Sequence, residues 1–280
     1  MATPSDPPLS SIRYLPTNEA YDRWAAVYDT DGNFLQALDT LELRTLFPQF
    51  LSSITSPKPW RIVDLGCGTG RNTALLLTVP DTSVIALDSS RGMLAVAKYR
   101  LQTAPAPNSI PIPIPNQVQE TSHGPQQPAP ASPKLLHFEL FDLTTSPTPP
   151  LAAQGADGVI CTLVVEHVPL ATFFAHAARI LRPGGVLLLS NMHAQMGALS
   201  QAGFVDARSG EKIRTASSYA HTVAEVVAEA ARWGLEVEGK GEGGIRERVV
   251  NEGMVGVLGA RSRKWVGVAC WFGGLFRKVR

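Results

Sequence analysis

Ile62-Val63-Asp64-Leu65-Gly66-Cys67-Gly68-Thr69-Gly70-Arg71-Asn72 is the stretch that decides the fold. A short apolar run enters a turn with glycines at alternate positions, and Asn72 to Leu77 continues with helical spacing. Glycines let the backbone come close to a ligand, so a nucleotide-like molecule can lie against such a strand-turn-helix unit. Taken alone, the same turn is also an ordinary tight connection. Asp88 adds to it: twenty residues after Gly68, it closes the next apolar run, where a carboxylate can take both hydroxyls of a ribose.

Working outward, Ile62-Val63, Val84 to Leu87, Val159 to Cys161 and Val186 to Leu189 are continuous apolar runs, and helical stretches at Asn72 to Leu77, Gly92 to Tyr99 and Thr172 to Leu181 alternate with them. Strands without polar alternation are buried on both faces, which specifies an α/β fold: a Rossmann-like, mostly parallel sheet with helices on both sides. Tyr21 to Tyr28 carries one apolar helical face, and Leu35 to Phe47 continues helically until Pro48. Leu135 to Phe141 has strand character. Thr222-Val-Ala-Glu225 is a capping box opening a helix to Arg232, Leu235 to Glu238 reads as a strand, and Lys264 to Phe272 as the last strand, half-buried.

These patterns define one domain over residues 20–280, preceded by a flexible tail at 1–19. Between Gln102 and Pro133 the chain holds nine of its 22 prolines with almost no periodicity, which reads as a disordered insertion within a βα unit. The formal charge is only +1, so no whole-molecule field draws the chain to nucleic acid, and no apolar stretch approaches the ~20 residues that cross a bilayer. The start shows no secretory signal, and Cys67, Cys161 and Cys270 sit among apolar residues as reduced thiols do; a cytoplasmic protein without a metal site is expected. The C-terminal basic residues, Arg261, Arg263, Lys264, Arg277, Lys278 and Arg280, read as the solvated ends of a strand whose aromatics pack inward.

Charge discriminates between the cofactors that use a glycine turn followed by a ribose-binding acid. A pyrophosphate over the turn would be repelled by Asp64, and Arg71 stands where a dinucleotide fingerprint has its third glycine. S-adenosylmethionine has no phosphate and brings two cationic centres, which Asp64 favours, directly or through water. On these residues the chain resembles a class I S-adenosylmethionine-dependent methyltransferase of the small-molecule branch. Val63 to Gly70 is similar to the family's glycine motif and Leu87 to Leu94 to its second, and Phe141-Asp142-Leu143 resembles the third. Asp157 to Val168 resembles the fourth-strand segment, Leu181 to Gly185 the turn before strand five, and Tyr21 to Asp29 the N-terminal lid helix. The resemblance implies a seven-stranded sheet with an antiparallel last strand, and a cofactor site of Tyr28, Asp64, Gly66, Cys67, Gly68, Asp88, Ser89, Met93, Asp142, Leu143 and Thr162. In it Asp142 faces the adenine amine and the Leu143 amide the ring.

Methyl transfer is an in-line displacement that needs a protein base only where the acceptor must lose a proton. His193, just beyond the fifth strand of the motif series, ranks first as that base because ligands sit outside the carboxyl ends of parallel strands; His167 and His221 are the other candidates. The expected activity is methylation of a small-molecule acceptor, without nucleic acid or membrane insertion. Two rivals stand beside it: a nicotinamide-dependent oxidoreductase, and a non-catalytic protein that only binds the cofactor.

Overall fold

The computed structural model describes residues 12–103, 135–239 and 244–279. Along the chain run β1 (Ile12–Leu15), α1 (Thr17–Trp24), α2 (Phe34–Ser53), β2 (Trp60–Leu65), α3 (Arg71–Leu76), β3 (Thr82–Asp88), α4 (Arg91–Thr103), β4 (Leu136–Leu140), β5 (Ala156–Thr162), α5 (Leu170–Ile180) and β6 (Leu181–Met192). They are followed by α6 (Ala194–Leu199), β7 (Gly203–Val205), β8 (Lys212–Thr215), α7 (Val223–Arg232), β9 (Leu235–Val237), β10 (Arg246–Val249), α8 (Val255–Leu258) and β11 (Ala269–Lys278).

The main sheet has the order β10-β11-β6-β5-β2-β3-β4. Its five strands from β6 to β4 are parallel, and β11 is antiparallel to β6. On the far edge of β11, β10 pairs with its first half and β9 with its last residues, so eight strands fill seven positions. The unbroken apolar runs have a simple cause. Along β2, Val63 and Leu65 join the core under α5 and α7, while Ile62 joins the core under α2 and α3, and β5 and β6 divide their side chains in the same way. Both faces are buried, so alternation disappears from the sequence.

Three boundaries differ from the sequence reading. The last strand is Ala269–Lys278, not Lys264 to Phe272: Ala260–Trp265 is a 3₁₀ turn whose Trp265 leaves the sheet to stack on Phe34 at 5.8 Å, and the strand is buried rather than half-buried, because its side chains divide between the cores on both faces. Pro48 does not end α2, which runs on to Ser53: Phe47, Phe50 and Ile54 bury against the sheet and outweigh the lost backbone bond. The expected loose tail is ordered from Ile12, where β1 pairs in parallel with β8 to make a three-stranded sheet, β1-β8-β7, with α1 packed on it. Residues 1–11 and most of the proline-rich insertion, 104–134, lie outside the described residues; Gln102 and Thr103 themselves belong to α4. The capping box forms as read, with Thr222 and Glu225 bonding reciprocally at the start of α7.

Candidate functional site

Strand order reverses between β2 and β5, and outside the carboxyl ends of those strands lies a cavity of about 540 Å³. Four parallel strands supply its wall through the residues at and just beyond their carboxyl ends: Gly66 and Gly68 after β2, Asp88 and Ser89 at the end of β3, Phe141 to Thr145 after β4, and Thr162 to Val164 at the end of β5. The N-terminal segment closes it with Pro16 to Asn18, Tyr21 and Tyr28. That segment is clamped down by Asp22, which accepts from the Ser90 hydroxyl at 2.6 Å and the Gly92 amide at 2.7 Å.

The glycine turn is built for close approach. Gly66 has φ of 76°, and a Cβ there would lie 2.3 Å from Val164 Cγ2, so any side chain would be strained and would have to displace Val164. Gly68 has φ of 54° and nothing within 4 Å of where its Cβ would stand, which leaves open space against the backbone. Its amide donates to Asp88 Oδ2 at 2.7 Å, while Ser90 N–H donates to Oδ1 at 2.8 Å. Burial pushes the Asp88 carboxyl up to about 6, and these backbone donors hold it from rising further. Asp142 accepts from the Thr144 amide and hydroxyl through Oδ1 alone.

Of the residues expected to hold cofactor, Tyr28, Gly66, Gly68, Asp88, Ser89, Met93, Asp142, Leu143 and Thr162 line this cavity together. Two do not. Asp64 is 1% exposed behind the turn, where its Oδ2 accepts from Thr73 Oγ1 at 2.6 Å and burial raises its carboxyl to about 7. Cys67 directs its thiol into an apolar layer with Ala86 and Leu94, and its amide is spent on Leu87 O. All three cysteines are buried and free.

Of the three candidate histidines, one lines the cavity. His193 lies one residue past the end of β6 and becomes the N-cap of α6: its Nδ1 accepts from the Gln195 amide, and its Nε2 pairs with Glu247 at 2.8 Å. It does not line the cavity. His221 stacks on Tyr219 and bonds to Val168 O, also away from it. His167 does line the cavity. Its Nδ1 faces Ser217 O at 3.2 Å and must carry the proton, so Nε2 accepts from the Tyr21 hydroxyl at 2.9 Å. Burial lifts the Tyr21 phenol well above its ordinary range, so it stays protonated. The Tyr21–His167 pair is not legible in sequence, because the two residues are 146 positions apart.

Among the described residues no cluster of His, Cys, Asp and Glu is arranged to hold a metal ion, and no helix is long and apolar enough to cross a membrane.

A cavity at the switch point, walled by a glycine turn and by a carboxylate at the end of the neighbouring strand, is the arrangement of a ligand-binding, doubly wound α/β protein. Similarity to known proteins carries this to a family. The family model described as "Methyltransferase domain" matches residues 63–189. An uncharacterized methyltransferase of Emericella nidulans is 45% identical over 94% of this chain and 91% of its own length. A trans-aconitate 2-methyltransferase of Acidovorax sp. is 39% identical over 28% of this chain and 31% of its own. Among solved structures, a DhpI–SAH complex superposes with a TM-score of 0.53 at 17% identity, covering 93% of this chain and 94% of that one, a likeness of fold. The chain belongs to the S-adenosylmethionine-dependent methyltransferases and is an enzyme of that class, which sets aside the nicotinamide-dependent and non-catalytic readings.

Proposed function

We propose that this enzyme methylates a small-molecule acceptor, using a cofactor seated in the switch-point cavity. The observation that carries the reading is Asp88 at the mouth of β3, beside the open backbone of Gly68: a carboxylate with a free lone pair on each oxygen, as two ribose hydroxyls require. Asp142, with Oδ2 unbonded among the described residues, takes the adenine amine, and Phe141 and Leu143 enclose the ring. Tyr28 and Thr162 flank the amino-acid end. The cofactor supplies an activated methyl group on a sulfonium; the protein supplies position, dryness and a place for any proton released.

Tyr21 and His167 meet that last requirement. With Nδ1–H fixed on Ser217 O, His167 Nε2 holds the Tyr21 O–H and turns a lone pair of the Tyr21 oxygen toward an acceptor hydroxyl; as that hydroxyl's proton reaches Tyr21, the phenolic proton passes to Nε2, so Tyr21 stays neutral throughout. His167 is then a positioning residue acting through Tyr21. A small acceptor is supported by a net charge of +1 and by the partial similarity to trans-aconitate 2-methyltransferases.

The test is incubation with methyl-labelled S-adenosylmethionine and a fractionated metabolite extract, following S-adenosylhomocysteine by mass spectrometry. Label should enter the small-molecule fraction. Label entering only peptide or RNA fractions would overturn the assignment.

A further inference from the structure

A second cavity, of about 730 Å³, adjoins the first: Tyr21, Tyr28 and Leu163 line both and form the partition between them. Leu163 is held there in the left-handed backbone region, φ 57°, rare for a residue with a branched side chain, and its amide is fixed to Ser190 O at 2.9 Å. The inner end of this second cavity is apolar and aromatic, with Trp24, Met192 and Met196 among its walls.

Its charge is unlike that of the whole molecule. Lys212 and Arg214 reach it from β8, and Arg261, Arg263 and Lys264 from the 3₁₀ turn before β11. Two acids face these five cations. Asp31 is already engaged by the Trp24 indole at 2.7 Å and the Asn33 amide. Glu166 is 4% exposed, and burial raises its carboxyl above the ordinary range, which weakens it as a counter-ion. No ion pair among the described residues involves any of the five cations. Arg214 Nε is buried and without a hydrogen-bond partner, an unmet donor that costs free energy unless something fills it.

We infer that the second cavity is the acceptor chamber, and that the acceptor is a small organic carboxylate whose acid group is held by Arg214 and the basic rim. The inference rests on the cofactor occupying the first cavity. A guanidinium fork with a free Nε–H matches a planar carboxylate in two parallel bonds. Anchored there, the acceptor extends over the apolar floor to the Tyr21–Tyr28–Leu163 partition, where its nucleophile meets the methyl group. Glu166 Oε2, buried and unpartnered, stands in the same chamber as an acceptor for an N–H or O–H on the reacting end.

The protein loaded with S-adenosylhomocysteine is titrated calorimetrically with glutarate and trans-aconitate, and in parallel with glutaramide, glycerol 3-phosphate and spermidine. At least one carboxylate should bind while the amide and the polyamine do not. Arg214→Met should weaken that binding at least tenfold and Arg214→Lys less, with S-adenosylhomocysteine affinity unchanged. Arg261→Met, on the exposed rim, gives a second reading if Arg214→Met does not fold. Carboxylates binding no better than glutaramide, binding of the phosphate or the polyamine instead, or carboxylate affinity untouched by both Met variants would each overturn the inference. The carboxylate titrations are repeated without S-adenosylhomocysteine, so failure of that ligand to bind counts against the functional reading and the chamber is still judged on its own.

Discussion

Replacing Asp88 by Asn changes one atom and one charge, and the local hydrogen bonds determine the cost. Each Asp88 oxygen already accepts one backbone N–H, from Gly68 on one side and Ser90 on the other. An amide offers one oxygen only, so its NH₂ must face one of those two donors and lose that bond. On that side it also loses the acceptor for a ribose hydroxyl. One charge-assisted hydrogen bond to ligand is removed outright, worth about 1.5–3 kcal/mol, which is about a 10- to 150-fold rise in Kd. The pH dependence gives an independent reading. With its carboxyl raised to about 6 by burial, Asp88 is ionised above that pH and protonated below it. The hydroxyls favour the ionised form, so wild-type affinity should be flat above pH 7 and weaken below pH 6, by no more than tenfold per pH unit. Asn cannot titrate, and its affinity should not follow that slope. Calorimetry with S-adenosylhomocysteine from pH 5 to 8 measures both effects. A variant within twofold of wild type at pH 8, or one keeping the full slope, would refute the ribose assignment.

Asp64→Asn should stabilise the protein at neutral and alkaline pH. The folded carboxyl sits at about 7, above its unfolded value, so its stabilising contribution is whole at low pH and is lost as pH rises through about 7; the variant's melting temperature should exceed wild type's most at pH 8 and the gap should close toward pH 4. Gly66→Ala should destabilise by about 1–3 kcal/mol through both positive φ and the contact with Val164, and Val164→Ala in the same chain should recover part of it. A Gly66→Ala melting curve identical to wild type would show that the turn relaxes freely.

The parts of the molecule legible in sequence are those where one short segment carries its whole explanation. The runs of β2, β3, β5 and β6 declare burial on both faces, and the spacing from Gly68 to Asp88 is fixed by one helix and one strand. Less legible is where a side chain turns after an element ends. His193 would aim at the ligand if β6 stopped near Ser190; with β6 reaching Met192, the next residue is a helix cap. Cys67 sits in the middle of the glycine motif, yet the turn rolls its thiol under α4. The site residues that sequence reasoning misses are those brought in by distant chain. Ala216 and Ser217 follow β8, whose Lys-Ile-Arg-Thr alternation, buried at every second residue, is the one local signal of that strand. The basic residues at 261–264 are legible as charge but not as a cavity rim, because nothing local says that Trp265 folds back on Phe34.

The pairing of β1 with β8 has a mechanical meaning. Four residues of an N-terminal strand are zipped in parallel to Lys212–Thr215, and a single proline separates that strand from the helix bearing Tyr21. Cover and counter-charge are therefore one rigid piece. Any displacement that lifts α1 from the cofactor cavity drags Lys212 and Arg214 with it, because sliding the two strands apart would break the whole ladder. The wall that α1 gives the first cavity and the basic wall that β8 gives the second are thus joined through one short ladder of backbone.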